Sequence, residues 1–247
     1  MSLLENVKQF LNDNKKLLNN YDFKTLYSST KLVNEELGLM TNILLKAGFN
    51  PLQYLDHVPY AYLYGQTDVT NIEIPNNITY IDLYAFASCT NLKSVIIPNS
   101  VGLIDDGVFS GCTSLTKIII PNSVTFIGEE AFSGCFSLTD IDISNSLGVI
   151  SGYTFNACRS LKSITIPDSV TTIGDYAFED CTELTDVIIN GDIEEIGYGA
   201  FSSCNKLVKI DYDGTEEQWQ HINKNPGWSI KSKIEEINCI DGTIKLR

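Results

Sequence analysis

Seven cysteines and two histidines are the side chains of this 247-residue sequence best suited to covalent or metal chemistry. Six of the cysteines, Cys89, Cys112, Cys135, Cys158, Cys181 and Cys204, stand 23 residues apart, and the seventh is Cys239. Zinc sites and redox motifs need cysteines in close pairs, and disulfide frameworks need partners. An odd total, with one cysteine per equivalent slot, satisfies neither. The reading that fits is a column of reduced, buried thiols acting as small hydrophobes, in keeping with a reducing compartment or rapid burial. His57 and His221 lie far apart near the two ends of the chain, where a lone histidine reads as a packing or surface residue rather than a base or ligand. No GxSxG, HExxH, Walker loop or GxGxxG is present. Asp211-Tyr212-Asp213-Gly214 starts like a calcium loop, but the later acidic ligands stand at the wrong spacing, and a turn is the plain reading. No catalytic residue, no metal ligand set and no cofactor site emerges, so an enzyme is not expected.

The spacing of the cysteines is shared by other residue types. Phe86, Phe109, Phe132, Phe155, Phe178 and Phe201 keep the same 23-residue step, as do Leu92 to Leu207 and Ile81 to Ile196. A fixed period with no insertion is the signature of a solenoid. Each unit is too small to bury its own apolar side chains, and stacking the units buries them as continuous columns. Within a unit, Leu-x-x-Ile-x-Ile predicts a short strand with apolar residues facing in. A proline slot (Pro98, Pro121, Pro167) ends it, because proline lacks the ladder N–H. Val-Thr-x-Ile-Gly predicts a second extended piece, and Ala-Phe-x-x-Cys a short helical or 3₁₀ turn that closes the loop.

The unit that begins after Cys112 and ends at Cys135 reads TSLTKIIIPNSVTFIGEEAFSGC. With its proline slot, its aliphatics Val101, Val124 and Val170, its glycines Gly128, Gly174 and Gly197 and its recurrent Ala-Phe before cysteine, it resembles the BspA-like, bacterial surface type of leucine-rich repeat. The resemblance covers roughly residues 59–212. It implies an α+β repeat solenoid: a leucine-rich repeat of 23-residue units with parallel β ladders, a helical N-terminal cap and a C-terminal helix and β-hairpin cap. It also implies adhesion or surface recognition. Ser144 and Asn190 replace the proline, and Asp82, Asp105 and Ser151 the glycine; these swaps are expected to alter turn rigidity and leave the fold intact. The expected division is 1–58, a helical cap or docking segment; 59–212, about seven repeats, the first degenerate; and 213–247, the C-terminal cap.

At the N-terminal side, helical periodicity runs over 2–20 and about 30–47, with Gly48 as a stop and Asn50-Pro51 restarting a short helix. In the degenerate first repeat Leu63 takes the phenylalanine slot and Gln66 the cysteine slot, a polar substitution that an end rung reached by water tolerates. After Tyr212 the period stops. Thr215 and Gln218 form a capping box for a helix carrying Trp219 and Ile222. Asp241-Gly242 between Ile237–Ile240 and Thr243–Leu246 predicts a type I′ hairpin. The run Phe49-Asn50-Pro51-Leu52-Gln53-Tyr54-Leu55 resembles the opening of leucine-rich-repeat proteins encoded by phages of gut bacteria.

Net charge is −14, and it is carried unevenly. Residues 1–58 hold six acids and six lysines, so the remaining 25 acids and 11 bases give the solenoid the whole excess. Such a charge argues against nucleic acid and anionic membrane as partners. No apolar run approaches the ~18 residues of a membrane span. The opening residues lack a signal-peptide core. Synthesis in the cytoplasm is therefore expected, with the cell surface by another route or a virion as final sites.

With the chemistry absent, the surface carries the function. In the first strand the residue before the last isoleucine points outward and reads Glu73, Ile96, Ile119, Asp142, Thr165, Ile188, Asp211. In the second extended piece the outward row reads Tyr80, Leu103, Phe126, Val149, Thr172, Glu195. Both rows are more apolar toward the N-terminal half. Read together as one contiguous exposed strip, Tyr80, Leu103, Phe126, Val149, Ile96 and Ile119 form the candidate partner-binding face. The plain alternative is that these residues only suit a pleated surface and support their ladder neighbours. Two functions stand open: recognition of a protein or glycan, and a structural or decorating role in a phage virion anchored by the N-terminal helices, with self-assembly allowed in either.

Overall fold

A computed structural model describes residues 41–46, 48 and 50–246 of the chain. The predicted helix over 2–20 and most of that over 30–47 lie outside these residues. The described chain winds into a solenoid of about eight turns, or rungs. Each rung contributes one strand to each of two sets of parallel ladders. The first set runs from Asn71–Glu73 through Ser94–Ile96, Lys117–Ile119, Asp140–Asp142, Ser163–Ile166 and Asp186–Ile189 to Lys209–Tyr212. The second set runs from His57–Val58 through Tyr80–Ile81, Leu103–Ile104, Phe126–Ile127, Val149–Ile150 and Thr172–Ile173 to Glu195–Ile196. Register is strict, with residues 23 apart facing each other, as in Tyr80↔Leu103↔Phe126. Ladders of β-branched residues suit such short strands, because the turns leave only two to four residues to pair.

The core is the set of columns that the period predicts. The six phenylalanines are fully buried, and their rings stack with centroids 5.3–5.5 Å apart. Both ends of this stack are closed edge-on, by Tyr62 against Phe86 and by Trp228 against Phe201, each at 6.1 Å. The six repeat cysteines are buried and unpaired. Each thiol donates to the carbonyl of the phenylalanine slot one rung back, from Cys89 to Leu63 (3.0 Å) through Cys204 to Phe178 (3.2 Å).

The Ala-Phe-x-x-Cys segment departs from the expected helical or 3₁₀ turn. Its N–H groups alternate. In the rung of Phe86, Tyr84, Phe86 and Ser88 donate to the next rung, while Ala85, Ala87 and Cys89 donate within their own turn. Two slots per rung therefore take left-handed backbone, at 84, 107, 130, 153, 176 and 199 and at 88, 111, 134, 157, 180 and 203. A helix would spend every N–H on its own segment and leave the rungs unbonded there.

Ser144 and Ser151 do more than relax turns. Their hydroxyls donate to the Val124 and Ile127 carbonyls of the rung before, at 2.7 and 2.5 Å. Here Phe126–Ile127 and Val149–Ile150 fall into separate ladders. Side-chain donors stand in where strand pairing lapses.

At the start of the described chain, residues 41–46 are helical. Asn42 donates to Gln66 (2.9 Å) and Asp68 (2.6 Å), and Lys46 pairs with Asp68. The polar residue in the cysteine slot is thus met by a helix side chain, where water was expected. Gly48 adopts φ +83° and donates to Leu45, ending the helix. Asn50 caps the 3₁₀ turn Pro51–Tyr54, accepting from the Leu52 N–H. The second ladder already begins at His57, just before the boundary expected at 58/59.

The C-terminal segment loses the period yet adds a rung. Asn223–Lys224 pairs parallel with Glu195–Ile196, and Glu236–Cys239 with Lys209–Tyr212. The helix Glu216–His221 carries the predicted capping box. The hairpin is present, but its loop is Ile240-Asp241, with Cys239 opposite Gly242. No residue in it has positive φ, so the predicted type I′ turn does not form. Asp241 instead accepts from the Glu216 N–H, and Gly242 is crowded by the Glu216 carboxylate, where a Cβ would collide at 2.1 Å.

Candidate functional site

The groups with chemical potential stay apart or paired. The ring Nδ1 of His57 lies 2.9 Å from Asp56 Oδ1 at one end, and His221 Nδ1 lies 2.7 Å from the Glu217 carbonyl at the other. Burial pushes the repeat thiols up, to about 12 for Cys89, Cys135 and Cys204. Such thiols are neither nucleophiles nor ready ligands. Burial alone would raise the Asp211 carboxyl, but hydrogen bonds from Asn238 and Lys209 bring it below its ordinary value. These partners occupy the oxygens that a calcium loop would need. Among the described residues no group of three or more His, Cys, Asp or Glu is placed to hold a metal.

The outward rows are where the strand pattern places them. Ile96 and Ile119 are 59 % and 56 % exposed, Phe126 45 %, and Tyr80 and Val149 are also exposed, while Leu103 is half-buried. They do not form the single strip expected from the sequence. The bonds Val101 N–H to Pro98 and Val124 N–H to Pro121 turn the chain between the two strands of a rung, so each row belongs to its own ladder. Tyr80, Leu103 and Phe126 face one another in a single ladder, extended at its start by His57 stacked flat on Tyr80 at 4.6 Å. Val149 begins the next ladder, with Thr172 and Glu195.

Ile96 and Ile119 sit on neighbouring strands of the other set, which are not paired with each other. The lapse opens a groove of roughly 390 Å³ lined by Lys93, Ser94, Ile96, Lys117 and Ile119. A second lapse, between Asp140–Asp142 and Ser163–Ile166, opens a polar groove of roughly 650 Å³. The apolar residues thus offer a row and a groove.

The sequence reading missed a third surface, on the turns. Tyr153 stacks on Tyr176 at 4.9 Å, and Tyr176 meets Tyr198 edge-on at 5.4 Å. Its signal was present, since Tyr84, Tyr153 and Tyr176 share one slot of the repeat. Elsewhere Arg159 lies 4.9 Å over the Phe136 ring and pairs with Asp180 at 2.8 Å.

The chain matches the family described as the BspA type leucine rich repeat region over residues 58–181 and 125–241, in 6 copies. Among solved structures, a leucine-rich repeat protein from Eubacterium ventriosum is similar at 25% identity and TM-score 0.62, over 73% of this chain and 46% of that one. The T. pallidum leucine rich repeat protein is similar at 26% identity and TM-score 0.58, over 71% and 83%. A leucine rich cell surface protein from Faecalibacterium prausnitzii is 24% identical with TM-score 0.46, over 65% and 64%. The chain therefore spans about two-thirds of the Faecalibacterium protein and about half of the Eubacterium one. No curated protein matches it.

Proposed function

The chain belongs to the BspA-type leucine-rich repeat family, and on that footing we propose that it is a non-enzymatic module that binds a protein partner through the exposed apolar residues of its N-terminal rungs. The observation that carries this reading is the exposure of Ile96 and Ile119 beside a groove, together with the row Tyr80, Leu103 and Phe126. Exposed aromatic and aliphatic groups on a rigid frame bind at low ordering cost, and an aromatic anchor at the centre of a patch carries most of an interface's energy. One ladder holds Tyr80, Leu103 and Phe126 in register, so a partner meets a preformed row. Val149 stands one repeat step beyond Phe126, at the start of the next ladder. The lysines Lys93 and Lys117 rim the groove.

The test is affinity capture with the full chain from lysate and particle fractions of its source. Wild type is compared with Phe126→Asp, Ile119→Asp and a control, Thr165→Asp, each checked for native circular dichroism. A protein captured by wild type and by the control, and lost with either of the other two, is the expected result. Equal capture by all four would overturn the reading.

A further inference from the structure

The turns after the second strand of each rung form a surface of their own. They comprise residues 82–84, 105–107, 128–130, 151–153, 174–176 and 197–199, and they hold six acids and four tyrosines with no lysine or arginine. Backbone bonds join them rung to rung, from Glu130 N–H to Gly152 and from Tyr153 N–H to Asp175. The row is a continuous edge of the solenoid.

The tyrosines on this edge are not required by the turn. Their slot is left-handed, at φ +55° for both Tyr153 and Tyr176, and glycine fills the same slot at Gly107 (+60°) and Gly199 (+62°). A bulky residue is uncommon there, because its Cβ crowds the backbone. The rings nevertheless stand out from the edge, with Tyr153 and Tyr198 exposed and Tyr176 half-buried between them.

Carboxylates surround the rings. Glu129 and Glu130 precede Tyr153 by one rung, and Asp175 and Glu179 flank Tyr176. They are close enough that, after burial, they push the Tyr153 phenol up. Among the described residues none of these four acids forms an ion pair: Asp175 accepts from the Tyr198 N–H and Glu179 from Asn156, both neutral donors. Ring faces carrying negative quadrupoles beside unpaired carboxylates attract a planar cation, which can stack and hydrogen-bond at once. The protein holds one such arrangement internally, with Arg159 over Phe136 and on Asp180.

We propose that the row Glu130, Tyr153, Tyr176 and Tyr198, with Glu129 and Asp175 beside it, binds an arginine-bearing cationic segment of a partner protein. One side of the Tyr153 ring is covered by Tyr176, and the next slot in the other direction is Glu130, so a guanidinium on the free face meets that carboxylate. This surface adjoins the apolar row of Tyr80, Leu103 and Phe126, and its chemistry adds to that of the row and groove.

The experiment is fluorescence anisotropy of the full chain with labelled Arg-Gly, Lys-Gly and Glu-Gly repeat peptides of equal length at physiological ionic strength. Wild type is expected to bind Arg-Gly best and Glu-Gly not at all. Tyr153→Gly with Tyr176→Gly keeps a residue suited to the left-handed slot. It is expected to weaken Arg-Gly binding about tenfold while circular dichroism stays native. Glu129→Gln with Glu130→Gln is expected to do the same. Phe126→Ser, which alters the other surface without adding charge, should leave Arg-Gly binding unchanged. Failure of wild type to bind Arg-Gly would overturn the proposal. So would equal binding by the double tyrosine variant, which would mark simple charge attraction, or stronger binding of a neutral oligosaccharide at the same row.

Discussion

The Sγ of Cys135 donates a hydrogen bond to the carbonyl of Phe109, at 3.3 Å, across one rung of the solenoid. That carbonyl also accepts from the Cys112 N–H of its own turn. The thiol therefore fills the second lone pair of a buried acceptor while its sulfur packs as a hydrophobe. Five more cysteines repeat the arrangement, which gives the slot a reason to hold an unbridged cysteine.

These buried thiols make the fold sensitive to alkali. In the unfolded chain they ionise near the ordinary value of 9.0, whereas in the folded chain burial holds Cys135 up to about 12. The folded state then binds more protons than the unfolded state, so stability is fully present below pH 9 and falls as pH rises toward 12. Each thiol contributes a slope of about 1.4 kcal/mol per pH unit, and six together about 8. Urea midpoints measured from pH 8 to 11 should fall steeply, and less steeply in Cys135→Ala. A flat profile would contradict the buried, protonated column.

The same burial sets reactivity. Cys239 is half-buried, while the six repeat cysteines are closed off. Desolvation, with Asp241 and Glu216 nearby, still raises the Cys239 thiol. Iodoacetamide should therefore modify Cys239 alone in the folded protein, faster as pH rises. In denaturant all seven should react. Mass spectrometry of the alkylated chain counts the sites.

Phe132 stands mid-stack, with ring centroids 5.4 Å from Phe109 and 5.5 Å from Phe155. Phe132→Ala opens a cavity that neighbouring rungs cannot close without breaking register. A loss of about 3–5 kcal/mol is expected in urea unfolding. A loss under about 1 kcal/mol would mean that the column relaxes freely.

Gly174, like Gly128 and Gly197, marks a close approach between rungs. A Cβ there would lie 2.7 Å from the Gly152 nitrogen and 2.9 Å from the Ser151 carbonyl carbon, both backbone atoms. Gly174→Ala should cost about 1–3 kcal/mol by overpacking and shift the thermal midpoint down. Gly148→Ala, which meets nothing within 4 Å, is the control and should change little.

Ser144 is buried, and its hydroxyl donates to the Val124 carbonyl at 2.7 Å. Ser144→Ala strands that acceptor and should destabilise by about 1–3 kcal/mol. Ser144→Pro restores the residue of the neighbouring repeats yet removes the same donor. It should not rescue stability in the same melt.

The period made most of this molecule legible. Each phenylalanine, leucine, isoleucine and cysteine column is where the 23-residue step puts it. The outward positions Ile96, Ile119 and Phe126 are exposed, because strand alternation is a local property of the backbone. Less legible was anything that depended on which rung bonds to which. The turn read as helical because Ala-Phe-x-x-Cys is compatible with a helix; alternate donation to the next rung is invisible in one unit. The hairpin read as type I′ because Asp-Gly favours it, yet the loop falls at Ile240-Asp241, where the Asp241 carboxylate accepts from the distant Glu216 N–H. Trp228 closing the phenylalanine stack had no periodic signal at all.

The sequence by itself determined the architecture of this protein, because a repeat that cannot bury its own apolar side chains has stacking as its stable outcome. It also pointed to structural thiols, since one cysteine per rung gives no close pair in the sequence, and the structure bonds each repeat thiol to a carbonyl of the rung before. Only the tertiary structure decided how the surface divides. The turn between strands sends the apolar residues into a row and a separate groove, and the left-handed slots bring Tyr153, Tyr176 and Tyr198 together on a third edge. The physical reason is that side-chain direction follows from local alternation, whereas which exposed side chains share a face follows from hydrogen bonds made between rungs.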